Sequence, residues 1–140
     1  MKNKLLLLFF ILGSISLLGL ASCINSNSTQ SDFYNAGNAN LSITGAQFDQ
    51  YTLFRFDTST TAHTLALPSA ADIIANISSP YAGEVINFAI STDGNNNVTL
   101  IPGTNVTIKS SASTVAGNTT GTMYCVFDNI TSGSEAVTIY

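Results

Sequence analysis

The chain has 140 residues, of which four are Lys or Arg and eight are Asp or Glu, so its formal net charge is −4. A chain this poor in basic side chains cannot neutralise a series of phosphates, which argues against nucleic-acid binding. Its hydrophobic fraction of 45% is too high for a disordered chain. Asn, Ser, Thr and Gly supply most of the polarity, which is typical of β-strands joined by polar turns.

The first residues have the pattern of an export signal. Lys2 and Lys4 precede an uncharged, apolar run from Leu5 to Leu20. As a helix, this run would span about 24 Å, which is shorter than the ~30 Å hydrocarbon core of a bilayer. A basic start, an apolar segment and small residues at its end are the parts of a signal peptide.

The apolar run ends in Leu20-Ala21-Ser22-Cys23, which resembles the lipobox of bacterial lipoproteins. In that family the thiol of the cysteine receives a diacylglyceryl group, the chain is cleaved directly before it, and the new amine is usually acylated. The resemblance implies that residues 1–22 are a signal peptide and that Cys23 is the lipidated residue, with membrane lipid as its partner. A plain signal peptide and an N-terminal transmembrane anchor are the alternatives.

The residues after the cleavage point indicate where the mature chain lies. Ile24 occupies the position at which an aspartate favours the inner membrane in enteric-type bacteria, so the resemblance favours the outer membrane or the cell surface of the bacterial envelope. Residues 23–40 are predicted to be a polar tether, and residues 41–140 a single β-domain. Cleavage removes the two lysines of the signal. Two basic and eight acidic residues then remain, a net charge of −6.

Strand patterns dominate the rest of the chain. Short runs alternate between apolar and polar residues, and turn-forming residues separate them, which is the signature of an antiparallel sandwich or barrel. One helix is predicted over Pro68–Ile77, with Ser69 as a candidate N-cap. Asn-Val-Thr occurs twice, at 97–99 and 105–107, and these segments are predicted to be neighbours in one sheet. The predicted strands are Leu41–Thr44, Tyr51–Asp57, His63–Leu67, Glu84–Ser91, Asn97–Ile101, Asn105–Ile108, Thr122–Asp128 and Glu135–Tyr140.

From about Leu65 onward, the order of features resembles small β modules of phage and viral fibres and of bacterial surface fibres. Such modules are jelly-roll-like and often trimeric, and they serve attachment rather than catalysis. Together with the strand series, the resemblance implies an all-β fold, a jelly-roll-like antiparallel β-sandwich with one short helix, and a homotrimer or an envelope protein as partner. The likeness is carried by Leu67-Pro68 with the helix, Gly83 to Phe88, Val98 to Leu100, Gly103 to Ile108 and Ser132 to Tyr140.

Few residues are candidates for chemistry. His63 is the only histidine, and Asp57 lies six residues before it, but no Gly-x-Ser-x-Gly elbow accompanies them. We interpret His63 as a partly exposed strand residue and predict that the protein is not an enzyme. One histidine and one free cysteine do not supply the ligands that zinc needs, so no metal or cofactor is predicted.

Two further segments have alternative interpretations. Asp93 to Asn97 matches the opening of a calcium loop, but Val98 and Thr104 replace its required Gly and Glu, so a hairpin turn is preferred. Cys125 has no partner if Cys23 is lipidated. We predict that it is a small buried side chain in a strand, with an intermolecular disulfide or a reactive thiol as alternatives.

The function predicted from these observations is that of a lipid-anchored, non-catalytic structural or adhesive module. The alternatives are a carbohydrate- or small-ligand-binding lipoprotein and an accessory subunit of an envelope complex. The aromatic residues are interpreted mainly as core, and a sugar-stacking face is the alternative. They are Tyr51, Phe54, Phe56, Tyr81, Tyr124 and Tyr140.

Overall fold

The computed structural model describes residues 33–140. The predicted signal peptide 1–22, Cys23 and most of the predicted tether lie outside these residues. Between residues 33 and 140, no helix has the length and apolar character needed to cross a bilayer. The elements are β1 Tyr34–Gly37, β2 Leu41–Ser42, α1 Gly45–Gln50, β3 Leu53–Phe56, β4 His63–Ala66, α2 Ala70–Asn76, β5 Val85–Thr92, β6 Val98–Ile101, β7 Val106–Ile108, a 3-10 turn Ser110–Ala112, β8 Thr114–Val115, β9 Thr120–Asn129 and β10 Ala136–Ile139.

The strands form two sheets. The larger has the order β1-β3-β5-β9-β10-β7, and the smaller has the order β2-β4-β6-β8. Over the first six strands the chain alternates between the two sheets, so each strand pairs with the strand two positions along rather than with its neighbour in sequence. These pairs are parallel, because the chain passes through the other sheet before it returns in the same direction.

The prediction of a β-rich fold is confirmed, but the sheets are mixed and mostly parallel rather than antiparallel. Among the described strand pairs, only β5–β9, β9–β10 and β6–β8 are antiparallel. The two Asn-Val-Thr segments lie in different sheets, as β6 and β7. Parallel strands usually have both faces buried and lack alternation. Here one face is open, so the parallel strands alternate as antiparallel strands do.

The inner faces of both sheets contribute to one hydrophobic cluster. Phe54 and Phe56 of β3 are completely buried in it. Phe54 packs edge-on against Phe88 of β5, and Phe56 stacks on His63 of β4 in the opposite sheet, each with ring centroids 6.3 Å apart. Aromatic pairs add about 0.5–1.5 kcal/mol each to the free energy of burial, so β3 is central to the core.

Each helix connects a strand of the smaller sheet to the next strand of the larger one. Helix α2 begins after Ser69, whose Oγ accepts a hydrogen bond from the amide of Asp72 at 3.1 Å, so the predicted helix and its cap are confirmed. Helix α1 was not predicted. Its capping box joins Thr44 and Gln47 reciprocally, at 3.0 and 3.2 Å. The alternation of Leu41–Thr44 indicated a strand that continues to Thr44, so the capping box at Thr44 was not recognised as the start of a helix.

Strand β1 lies within the segment predicted to be tether. Tyr34 pairs with Phe54 and Asn35 with Arg55 in parallel register, and the ring of Tyr34 packs edge-on against Tyr51 with centroids 5.2 Å apart. The folded domain therefore includes residues ahead of the predicted boundary at 41, because the Tyr34 ring covers core aromatics at the sheet edge.

The turns that lead from the larger sheet to the smaller one are stacked and joined by asparagine side chains. Nδ2 of Asn38, after β1, donates to Oγ1 of Thr60, after β3, at 2.8 Å. The carbonyl oxygen of Thr58 accepts from both the amide and Nδ2 of Asn96, after β5, at 3.3 and 2.8 Å. Because each side chain bridges successive turns, these bonds account for the asparagine content of the turns.

Candidate functional site

The outer face of the larger sheet carries the exposed Val85, Tyr124 and Tyr140 in its β5–β9–β10 region. Alternation sends Phe88, Met123 and Cys125 into the core and the residues between them outward. The outward side chains are exposed or half-buried along β5 and β9. They are Val85, Asn87, Ala89 and Ser91 on β5, and Thr120, Thr122, Tyr124, Val126 and Asp128 on β9.

Two tyrosines lie side by side on this face. Tyr124 of β9 and Tyr140, directly after β10, exchange both backbone hydrogen bonds, at 3.0 and 2.9 Å. Such a pair places the side chains on the same face, about 5 Å apart at Cβ. Both side chains are 49% exposed, and the Nζ of Lys109 lies 5.7 Å from the Tyr140 ring centroid. The backbone bonds therefore fix the two neighbouring backbone positions from which these accessible rings extend.

Asn87 extends this line of residues toward a small cavity. It is the register partner of Tyr124, so Asn87, Tyr124 and Tyr140 follow one another across β5, β9 and the end of β10. We call these three residues the tyrosine row. Asn87 is also one of the residues that line a cavity of about 110 Å³. Its lining consists of Phe48, Asp49, Tyr51, Thr52, Ile77, Ile86 and Asn87.

A second, more polar cleft lies at the carboxyl ends of β1, β3 and β5. It has a volume of about 440 Å³ and is lined by Asn35, Gly37, Arg55, Asp57, Ser59 and Asp93. Within it, the guanidinium of Arg55 contacts Oδ2 of Asp93 through Nη2 at 2.5 Å and Nε at 2.6 Å. Hydrogen bonds from the Ser59 side chain and amide hold the pKa of Asp57 below its usual value. Arg55 and Asp93 are thus already paired with each other, and Asp57 is hydrogen-bonded to Ser59.

The hypothesis of a Ser-His-Asp arrangement is not supported by the contacts of His63. The ring is 5% exposed rather than partly exposed. Its Nε2 lies 2.8 Å from Oδ1 of Asn38 and 3.0 Å from the backbone oxygen of Asp57. Both neighbours are acceptors, so Nε2 carries the proton and donates it. His63 therefore links the turns that follow β1 and β3.

The segment Asp93–Asn97 is neither a hairpin turn nor a calcium loop in the described contacts. It connects β5 of the larger sheet with β6 of the smaller one, and the Asp93 carboxylate pairs with Arg55. Over residues 33–140, no group of three or more His, Cys, Asp and Glu side chains is placed to hold a metal ion.

Cys125 is completely buried in β9, in agreement with its interpretation as a small core side chain. Burial raises the pKa of its thiol to about 12. A neutral thiol without access to solvent is a poor nucleophile, because the thiolate is the reactive form.

The structure divides the aromatic residues into two groups. Phe54 and Phe56 are core residues, and Tyr51 packs against the core, whereas Tyr81, Tyr124 and Tyr140 are exposed. Sequence reasoning did not identify Asn87 or Lys109 as neighbours of the tyrosines. Alternation along β5 indicated that Asn87 faces outward, but only the strand pairing shows what lies beside it.

Comparison of the chain with protein-family models, with curated proteins and with solved structures found no match.

Proposed function

We propose that the chain is a lipid-anchored, non-catalytic structural or adhesive module of the bacterial cell envelope, which contacts its partner through the tyrosine row. The observation that carries this proposal is the pairing of Tyr124 and Tyr140, two half-exposed rings held side by side by backbone hydrogen bonds. Tyrosine supplies a large contact area at low cost in conformational entropy, because its side chain has few rotatable bonds. Tyr124 lies in β9 and Tyr140 is bonded to its backbone, so both residues are positioned before binding.

The roles of the two most reactive residue types support a non-catalytic module. The Nε2 of His63 donates its hydrogen bond to Asn38 and to the backbone oxygen of Asp57, and the Cys125 thiol lies in the core. Both side chains therefore serve the fold.

The anchor and the location rest on the lipobox resemblance. Leu20 to Cys23 supports acylation of Cys23, and Ile24 supports the outer membrane or the cell surface. Two or three acyl chains hold a protein stably at a membrane, since each buried methylene contributes ~0.8 kcal/mol. The polar residues that follow Cys23 give the domain reach away from the bilayer.

The anchor is tested by expressing the full-length chain and its Cys23→Ser variant in a bacterium that processes lipoproteins. The parent should incorporate labelled fatty acid, partition into the detergent phase and show the mass of the acyl groups on residue 23. The variant should do none of these. A variant that partitions and gains mass as the parent does would overturn the proposal.

The binding face is tested on cells that carry the acylated protein. Tyr124→Ala and Tyr140→Ala should reduce the attachment of cells to their native surface or partner while fatty-acid incorporation stays unchanged. Tyr81→Ala is the matched control, because Tyr81 is 61% exposed but lies outside the tyrosine row. Equal attachment by all three variants and the parent would remove the outer face as the contact surface. The native mass in gentle detergent decides between the trimer implied by the fibre resemblance and a monomer.

A further inference from the structure

We infer that the tyrosine row and the cavity beside Asn87 bind a neutral glycan whose sugars carry acetamido groups. This inference rests on the proposed function, in which the same face makes the contact, and it names the chemical class of the ligand. One sugar ring stacks on Tyr124 and another on the face of Tyr140 that Lys109 leaves open, and an acetamido group of the next sugar enters the cavity at Asn87.

The charges around the tyrosine row favour a neutral ligand. Lys109 already lies over the Tyr140 ring, and the Asp128 carboxylate accepts a hydrogen bond from Thr138 at 2.6 Å. Asp49 lines the cavity, and the chain as a whole carries a formal charge of −4. The three residues of the tyrosine row carry no charge themselves, and Lys109 and Asp128 beside them already have partners in Tyr140 and Thr138. This surface therefore suits a neutral, hydroxyl-rich chain better than a charged polymer.

The two rings match the shape of a linear sugar chain. Sugar rings present C–H groups on their faces, and these pack against the electron-rich face of an aromatic ring. Neighbouring strands are about 4.8 Å apart, so the Cβ atoms of Tyr124 and Tyr140 lie roughly one sugar ring apart along a line that crosses the strands. Asn87 lies one strand further along the same line.

The cavity supplies the selectivity for an acetamido group. Its volume of about 110 Å³ is too small for a whole sugar but has room for a methyl group and its amide. Phe48, Ile77 and Ile86 provide apolar walls for the methyl group. The Asn87 side chain has both a carbonyl acceptor and an NH₂ donor, which are the complements of the N–H and C=O of an acetamido group.

A protein partner fits this surface less well than a glycan. The centre of a protein–protein interface is apolar and depleted of polar side chains. Here the apolar residues Val85 and Val126 are flanked on the same outer face by Thr120, Thr122 and Asn87, which instead suit the hydroxyl groups of a sugar chain.

The test uses the acylated full-length protein in micelles of a zwitterionic detergent, because sugar-headgroup detergents would compete for the site. The probes are tri-N-acetylchitotriose and cellotriose, which share a β-1,4 backbone and differ in the acetamido groups. Saturation-transfer NMR should show binding of the acetylated trisaccharide, with the strongest transfer on its acetamido methyl protons. Cellotriose should bind more weakly, with at least about a fivefold higher dissociation constant.

Variants assign the binding to named side chains. Tyr124→Ala and Tyr140→Ala should each weaken chitotriose binding by about fivefold or more. Asn87→Asp keeps the size of the side chain but removes its donor and adds charge, so it should bring the affinity for chitotriose down to that for cellotriose. Tyr81→Ala should bind as the parent does.

Three results of the binding experiments would overturn the inference: no saturation transfer from the acetylated probe, equal binding of both trisaccharides, and binding that Tyr124→Ala leaves intact. Self-association that Tyr124→Ala abolishes would assign the tyrosine row to a second copy of the chain and would overturn it as well. If the acylated protein attaches through Tyr124 but does not bind chitotriose, the glycan inference is wrong and the proposed function is still supported. If the full-length protein is not acylated but still binds chitotriose, the lipid anchor is wrong and the glycan site is still supported.

Discussion

Gly45 lies directly against the backbone of Asp72, and this contact joins the first turn of α1 to α2. The amide of Gly45 donates to Oδ2 of Asp72 at 3.3 Å, and a Cβ added at Gly45 would overlap the carbonyl oxygen of Asp72 and Nδ2 of Asn76. That carbonyl also accepts from Nδ2 of Asn76 at 2.8 Å. The two helices can approach this closely only because residue 45 has no side chain.

Gly45→Ala should therefore destabilise the protein. Alanine is favoured over glycine in a helix by about 1 kcal/mol, but the overlap with backbone atoms forces a shift whose typical cost is about 1–3 kcal/mol. The midpoint of urea-induced unfolding should decrease. Ala46→Ser is the control, since it also adds one heavy atom to α1 but at an exposed position. A Gly45→Ala protein as stable as the parent would show that the helices do not pack as described.

The bond between His63 and Asn38 should appear as an energetic coupling. Asn38→Ala removes an acceptor for Nε2 and a donor to Thr60. A net hydrogen bond is worth about 0.5–1.5 kcal/mol, so the double variant with His63→Ala should be less destabilised than the sum of the single variants by about this amount. Unfolding of all four proteins measures the coupling. Asn129→Ala, at the far end of β9, should add to His63→Ala without coupling. Strict additivity for Asn38 would refute the contact.

The ion pair between Arg55 and Asp93 should contribute little to stability despite its short distances. The side chains are 51% and 47% exposed, and pairs that solvent reaches are worth about 0–1 kcal/mol. Arg55→Gln should lower the free energy of unfolding by less than about 1 kcal/mol at low salt, and the difference should vanish in 1 M NaCl. Lys109→Gln serves as the comparison variant, because it also replaces one basic side chain with glutamine but leaves the pair between Arg55 and Asp93 intact. A large, salt-independent loss would mean that the guanidinium has a packing role.

The Cys125 thiol should be inert in the folded protein and should make stability depend on alkaline pH. Burial raises its pKa from 9.0 to about 12, so above pH 9.0 the unfolded chain releases a proton that the folded chain keeps. Unfolding therefore becomes more favourable as the pH rises from 9.0 to 12, and the contribution of the neutral thiol is complete only below pH 9.0.

Two measurements test this. In the acylated protein, a thiol reagent at pH 8 should modify Cys125 only after denaturant is added. The free energy of unfolding should fall more steeply between pH 9 and 12 in the parent than in Cys125→Ala, because only the parent has the buried thiol. Rapid native labelling or equal slopes would contradict the buried thiol.

Much of the local structure was predictable. Each of the eight predicted strands overlaps a strand of the structure, and the helix near Pro68 begins after the predicted cap Ser69. The burial of Cys125 also followed from its place in an alternating run. These features depend on a few consecutive residues, so the sequence pattern contains the information.

The elements that the sequence did not predict are β1, β8 and α1, which are short and depend on long-range contacts. Strand β8 has two residues and β1 has four, which is too short for a clear alternation. Helix α1 has six residues and is stabilised by its capping box and by its contact with α2 at Gly45. A short helix is marginal by itself, and tertiary packing decides whether it forms.

The sequence by itself determined eight of the ten described strands, the start of the longer helix and the burial of Cys125, because periodicity and capping act between near neighbours. Only the tertiary structure decided which sheet each strand joins, in which direction it runs, and that Asn87, Tyr124 and Tyr140 lie in line. Alternation is the same for a parallel and an antiparallel strand with one open face. The pairing of β5, β9 and β10 depends on contacts between residues that are far apart in the chain, and these contacts place the tyrosine row on the surface.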